Sequence, residues 1–582
     1  MGVCMSQEEE IRHLTLNAQP NYIKTDKKDP KIAPEHTIYN YDSSKQDREK
    51  LAVLNCPHSV GFHPDRLVIV DLDENSASYC KKDGIENELV LTTDNVPHLR
   101  ELAPSVSEVG RQRVAHFGYI DKLHLSFYLV VERSHVGIPF TSDCRKSVVS
   151  VLTFPDVNDE PGRINWTRSA RSLETMSQTA RTHMVVPCMN SNRVYIVEVD
   201  ENEMKLVKTI GPELLKHYDI SCPYAVHVLP LKGAPVHIAT MGDTYGNGKG
   251  DFLLIDRNSF EIRERHNRTG FTGFGGDFSF QTRRNLLIAS EWGHPRLFRD
   301  GFTRSEIENV SESFGSQLHV WQISPGILKE SIDLGPFDGC LITTVRFLHN
   351  PECNHAFACS AVGSSVFHLY MNSLTEKWSA DKVFQVKTIQ VENWLSPEMP
   401  ALLTDLVISM EDRFAYVAGW LHGCIWQLDI SDPFRISVLT KVVLGGLLGG
   451  ISEAFVKSPL LFQIGQPREF GFPEMGKSTP RTPRVATTIR GTNFRGGPAF
   501  LQLSVDGKRL YVGNSFYKQW DSQFYPELIA NGGQIARIDI GGGGRMSLSD
   551  SFLIDLKDME GGPYLARDLR FFNGDSTSDN FL

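Results

Sequence analysis

MEDRFAYVAGW (410–420) and VDGKRLYVGNS (505–515) share one grammar: polar turn formers, an arginine, then a run of β-branched and aromatic residues. PDRLVIVDLD (64–73) and NSNRVYIVEVD (190–200) repeat it, and Asp506-Gly507 is a hairpin signal. Working outward, further β-rich runs stand at PVHIATMG (235–242), DFLLID (251–256), NLLIASEW (285–292), QLHVWQIS (317–324), SSVFHLYM (364–371), GCIWQLDI (423–430) and QIARIDI (534–540). Few segments have a helical period, so an α/β plan, which needs an amphipathic helix between strands, fits poorly. Many short strands in loosely repeating pairs predict an all-β fold, a seven-bladed β-propeller that closes its sheets radially and leaves few edges. A propeller over 51–582 is expected, preceded by a mobile extension over 1–50 with charge runs DKKDPK and SSKQDREK, and interrupted near 105–160 and 452–490.

Composition narrows the function classes. The chain has 582 residues, 41% hydrophobic and 22% charged, with a formal charge of -10, a balance that speaks against nucleic acid as partner. No run approaches the roughly 18 apolar residues of a spanning helix, and MGVCMSQEEEIRH lacks the apolar core of a secretion signal, so a cytoplasmic protein with reduced thiols is expected. MGVCMS does fit an acylation pattern, with Gly2 as myristoyl acceptor and Cys4 as a palmitoyl site, and two chains would hold the protein at a membrane.

Chemistry-bearing clusters mostly dissolve once strands are placed. RFLHNPECNHAFAC (346–359) sets His349, Cys353, His355 and Cys359 at ligand-like spacing. It reads as one hairpin with Cys353 in the turn, which cannot wrap a four-ligand zinc site around a single ion. GDTYGNGKGD (242–251) contains Gly248-Lys249 but no following Ser or Thr and no helix, so it reads as a glycine-rich hairpin and not a phosphate loop.

Several stretches together resemble the selenium-binding proteins, a family that includes methanethiol oxidases: DENSASYC (73–80), RTHMVVPCMNSNRVYIVEV (181–199), MGDTYGNGKGDFLLID (241–256), EWGHPRLFRDGF (291–302), VRFLHNPE (345–352), NWLSPEMPALLTDL (393–406), DRFAYVAGWLHGCIWQLDISDP (412–433), SVDGKRLYVGNSFYKQWDSQFYPEL (504–528) and LRFFNGDSTSD (569–579). The resemblance implies a seven-bladed propeller, an association with selenium, and a copper site at which the oxidases turn methanethiol, oxygen and water into formaldehyde, hydrogen sulfide and hydrogen peroxide. Imidazoles suit copper, and a copper ion offers oxygen a one-electron path.

The departures from the family pattern are chemically directed. Where the family resembles DELHHSGWNTCSSC, this chain reads DEPGRINWTRSARS (159–172), so Gly162 and Arg163 stand for the histidine pair and Ser169 and Ser172 for the cysteines. Where the family resembles PHTVHCLP, PYAVHVLP (223–230) puts Tyr224 for the first histidine, and ARDLRFFNGD (566–575) puts Arg567 for the histidine of AHELRYPGGD. His227, His349 and His422 are kept as remnant metal candidates, and Cys80 matches the position that the resemblance suggests for selenium. A guanidinium has no lone pair to donate and opposes a cation, so two arginines favour an anion over copper. Three functions are consistent with this: a family propeller with weakened or lost thiol oxidase chemistry, an active oxidase acting on a small thiol or selenium species, or a propeller rim that binds a protein partner.

Overall fold

The computed structural model describes residues 48–73, 147–170, 181–231, 233–265, 272–301, most of 303–447, and 487–577, together with Ser76 and the strands at 106–109, 112–120, 125–131 and 455–456. Seven four-stranded antiparallel sheets are arranged as the blades of a propeller. Burial identifies the direction from axis to rim. The strands Ser221–Val228, Phe278–Gln281, Ile342–Phe347, Leu403–Ile408 and Phe500–Leu503 are buried at every position. At the opposite edges of their blades, strands such as Ile327–Asp333 and Ser437–Val443 alternate or lie open. The last blade is closed by both ends of the fold, for Leu569–Phe571 pairs with Leu51–Cys56, joining Ala52 to Phe571 and Leu54 to Leu569. Radial repetition leaves only the outer strand of each blade as a sheet edge.

The repeated sequence grammar marks one hairpin of each blade that carries it. Arg413 precedes Phe414–Gly419, Arg509 opens Arg509–Gly513, Arg193 opens Arg193–Val199 and Arg66 lies in Pro64–Asp71. In two of these hairpins the turn residue before the arginine takes a left-handed backbone, with φ of 56° at both Asn192 and Asp412. Asn and Asp tolerate that region better than other side chains. Between blades, apolar faces interdigitate: Tyr416, Ala418 and Ile425 pack with Leu501, Leu503 and Val512 across one such seam. Each buried Leu or Ile of this kind contributes roughly 1.5–3 kcal/mol over its exposed state.

Three segments differ in detail from their sequence reading. Val148–Val157, within the expected first interruption, is the outer strand of the closing blade. A separate compact unit spans Cys80–Asp143, and its described part is a three-stranded antiparallel sheet of Val106–Val109, Gln112–Ile120 and Leu125–Val131. In the second interruption Phe455–Val456 pairs with Val391–Glu392, and Thr488–Ile489 forms a hairpin with Thr492–Asn493. At the junction with the N-terminal extension, Glu49 is buried and accepts hydrogen bonds from Arg509 (Nη2, 2.8 Å) and the Tyr511 hydroxyl (2.7 Å).

Candidate functional site

The inner strands bring polar residues to the axis, and these residues are paired to one another across blades. Arg163 donates from Nη2 to Asp405 Oδ1 (2.8 Å) and Thr344 Oγ1 (3.1 Å), and from Nε to the Tyr224 hydroxyl (3.1 Å). Thr344 itself donates to Asp405, and the Arg163 guanidinium lies 4.8 Å from the centre of the Phe500 ring. Burial works against the Arg163 charge, but Asp405, Tyr224 and Asp277 outweigh it and hold the guanidinium firmly protonated. Tyr224 is pushed up by burial, so it acts here as a neutral hydroxyl.

Arg567 forms a second buried pair, with Glu160 (2.6 Å), and also donates to the Pro161 carbonyl (3.0 Å) and Ser515 Oγ (3.2 Å). Lys518 approaches the same Glu160 at 3.4 Å. Burial alone would raise the Glu160 carboxyl, yet Arg567 and Lys518 hold it below its usual range. Two more pairs complete the set: Arg346 with Asp277 (2.5 Å) and Arg570 with Asp568 (2.8 Å). Four arginines therefore face four carboxylates inside the fold.

The kept histidines are placed separately. His227 Nε2 lies 3.2 Å from Asp277 Oδ1, and burial lowers its pKa in spite of that partner. His349 Nδ1 lies 3.0 Å from Asp412 Oδ1 and its Nε2 donates to the Ser576 carbonyl (2.9 Å). Burial would depress His349, but Asp412 and the Ser576 carbonyl overcome it and raise the pKa. His422 donates from Nε2 to the Met399 carbonyl (3.1 Å). Strand register fixes where these lie along the axis. Leu403 pairs with Gly419 and Ile408 with Ala415, so His422, just after Gly419, is at the Leu403 end. His349 binds Asp412, just before Phe414, and is at the Ile408 end. A six-residue strand separates them, roughly 17–20 Å. The three remnant candidates therefore do not gather at one end of the axis. Among the described residues, no group of three or more His, Cys, Asp or Glu is arranged to hold a metal ion.

Other sequence candidates resolve one by one. Gly162 has no room for a side chain: a Cβ there would lie 2.4 Å from the Tyr224 carbonyl oxygen. Ser169 is buried, whereas Ser172, Cys80, Gly2 and Cys4 lie outside the described residues. In the 346–359 hairpin, His355 bonds His368 (2.9 Å) and Cys359 contacts Thr343 Oγ1 (3.2 Å), so His349, His355 and Cys359 have three different partners. Burial pushes the Cys353 thiol up to about 11 and Cys359, Cys222 and Cys340 up to about 12. None of these is a ready thiolate. Lys249, once a phosphate-loop candidate, is paired with Asp219 (2.6 Å). Sequence reading missed Asp405, Asp277, Thr344 and Arg346, which lie on or beside the inner strands of three blades and form no local motif.

A family model described as 56kDa selenium binding protein matches residues 133–582. A putative selenium-binding protein of Caenorhabditis briggsae is 46% identical over 596 aligned positions, covering all of both chains. A methanethiol oxidase of Xenopus laevis is 36% identical, covering 77% of this chain and 90% of its own. A solved structure from Sulfolobus tokodaii, described as a hypothetical selenium-binding protein, superposes with a TM-score of 0.67 at 23% identity, covering 92% of this chain and 97% of that one, and supports the propeller fold. Among the described residues no helix is long and apolar enough to cross a membrane.

Proposed function

The chain belongs to the 56 kDa selenium-binding protein family, and from that membership we propose that it is a divergent family propeller whose axis has exchanged copper-dependent thiol oxidation for an ion-paired core. The observation that carries this reading is the Arg163 cluster. A residue standing for a family histidine is a guanidinium with carboxylate, hydroxyl and threonine partners, and it puts a fixed positive charge at that position. The donor set does not fit copper. Arginine cannot ligate, Arg567 is held by Glu160, and His227, His349 and His422 each spend nitrogen lone pairs or protons on separate partners.

Selenium association follows the family and would rest on Cys80, since burial keeps the described thiols protonated. Acylation at Gly2 and Cys4 remains an expectation of the sequence, and a cytoplasmic protein held at a membrane surface is the location it would give. The test of the functional reading is turnover. Purified protein and the Xenopus laevis methanethiol oxidase, both expressed with copper supplied, are given methanethiol and oxygen, and hydrogen sulfide release is measured. Release by the frog enzyme with at least a hundredfold less from this chain is expected. Comparable rates would establish the rival reading of an active oxidase with rearranged ligands.

A further inference from the structure

Away from the axis, the outer half of one blade holds three polar side chains joined in series. The strands Leu286–Ser290, Gln317–Gln322 and Ile327–Asp333 set Ala289 opposite His319 and His319 opposite Ser331. Strand alternation turns Leu318, Val320 and Ile332 into the seam with the next blade, which leaves His319 and Ser331 together on the other face. Glu291 comes two positions after Ala289, on that same face and diagonal to His319. Its Oε1 lies 3.0 Å from His319 Nε2, and His319 Nδ1 lies 2.8 Å from Ser331 Oγ.

The carboxylate sets the protons of the neutral ring. Glu291 only accepts, so Nε2 carries the hydrogen that faces it and Nδ1 presents its lone pair to the Ser331 hydroxyl. Glu291 Oε2 accepts the Gln317 N–H (3.1 Å), and among the described residues its ionic partner is His319 alone. Gly315 closes against this carboxylate, where a Cβ would lie 2.5 Å from Oε2, and so holds it in place. Exposure is graded along the series: Glu291 is 5% and His319 3% exposed, whereas Ser331 is open to solvent. The base is shielded and the hydroxyl is reachable.

We propose that Ser331 is a nucleophile for activated carboxylic esters, with His319 as its general base and Glu291 as the positioning residue. Ser331 Oγ attacks the ester carbonyl while its proton passes to His319 Nδ1, and Glu291 stabilises the imidazolium that forms. The bond to the leaving alcohol breaks, the alcohol takes the proton from Nδ1, and the acyl group stays on Ser331. Water then attacks the acyl carbonyl and gives a proton to Nδ1, which returns it to the departing Ser331 oxygen. Ester and water thus become acid and alcohol. Ile327–Asp333 is the last strand of its sheet, and the outward N–H groups of such an edge are donors for the oxyanion. Because Ser331 stands on an open strand and not in a cleft, the reactivity must come with the substrate, which points to aryl esters over alkyl esters and amides. The copper question has no bearing here, since none of the three residues stands for a family metal position.

The experiment separates a nucleophile from a hydrogen-bonded tie between three strands. The full chain is incubated with a biotinylated fluorophosphonate, and the modified residue is located by peptide mass spectrometry. Labelling at Ser331 is expected, and H319Q should slow it at least a hundredfold. S331A, a change at an exposed position, should abolish the labelling and remove most of the 4-nitrophenyl acetate hydrolysis shown by the wild type. E291Q should lower kcat for that ester at least tenfold with KM unchanged. No fluorophosphonate on Ser331 of the wild type, equal ester hydrolysis by S331A, or labelling of H319Q at the wild-type rate would overturn the proposal.

Discussion

Arg163 and Arg346 are both buried arginines on the axis, each paired with one aspartate, yet they differ in what remains over. Arg163 spends Nε on Tyr224 and Nη2 on Asp405 and Thr344, whereas Arg346 commits only Nη1 and leaves an edge without partners. A buried charge with its hydrogen bonds filled from within the fold is a satisfied part of the structure, and one with donors left over carries the cost of hydrogen bonds not made. This distinction separates the two regions better than residue type does, because both would score alike in any count of charges.

The sharpest way to break the comparison is to remove the filled arginine. Arg163→Met leaves Asp405 buried without its cation, and a loss of about 3–5 kcal/mol in urea unfolding is expected. Pairing it with Asp405→Leu should return much of that loss, since the charge left behind causes it. A loss under about 1 kcal/mol in the single variant would mean that water reaches the cluster. Tyr224→Phe is expected to be milder, about 1–2 kcal/mol, because only one neutral acceptor of Arg163 disappears. Thermal and urea denaturation of this variant against wild type provide the measure.

The smallest effects concern the two axis histidines, whose titrations have opposite signs. His349 has a raised pKa in the fold, so its contribution is fully present below the unfolded value near 6.5 and is lost as pH rises through the raised value. His227 has a lowered pKa, so its contribution is present above about 6.5 and is lost as pH falls toward the folded value. Urea unfolding from pH 5.5 to 8 should show the stability gap between wild type and H349Q narrowing upward in pH, and that between wild type and H227Q narrowing downward. Gaps that move in the same direction would contradict the assigned partners.

The hairpins were legible in the sequence because the second and third strands of each blade are buried on both faces and read as continuous β-rich runs, as in Phe414–Gly419 and Cys424–Asp429. Outer strands such as Met204–Ile210 and Trp378–Gln385 were not, because half of their residues face solvent and break the apolar run. The axis was harder still. Leu403–Ile408 carries Thr404 and Asp405 in full burial, which breaks its apolar run, and their partners stand on other blades, 94 positions away for Thr404 and 242 for the Asp405–Arg163 pair. Motif comparison found Arg163 and Arg567 because it asked which residues stand for family histidines. It passed over Arg346, three residues from the quoted His349, because an arginine beside a kept motif carries no signal until its unfilled donors are seen.

The central claim is that an ion-paired core stands where family members place metal ligands, and copper stoichiometry tests it most directly. Wild-type protein dialysed against a copper buffer and then washed should retain well under one copper per chain at the axis, with no change on Arg163 or Arg567 contacts. One tightly held copper per chain, coupled to hydrogen sulfide release from methanethiol, would contradict the account and place the ligands on residues other than those assigned here.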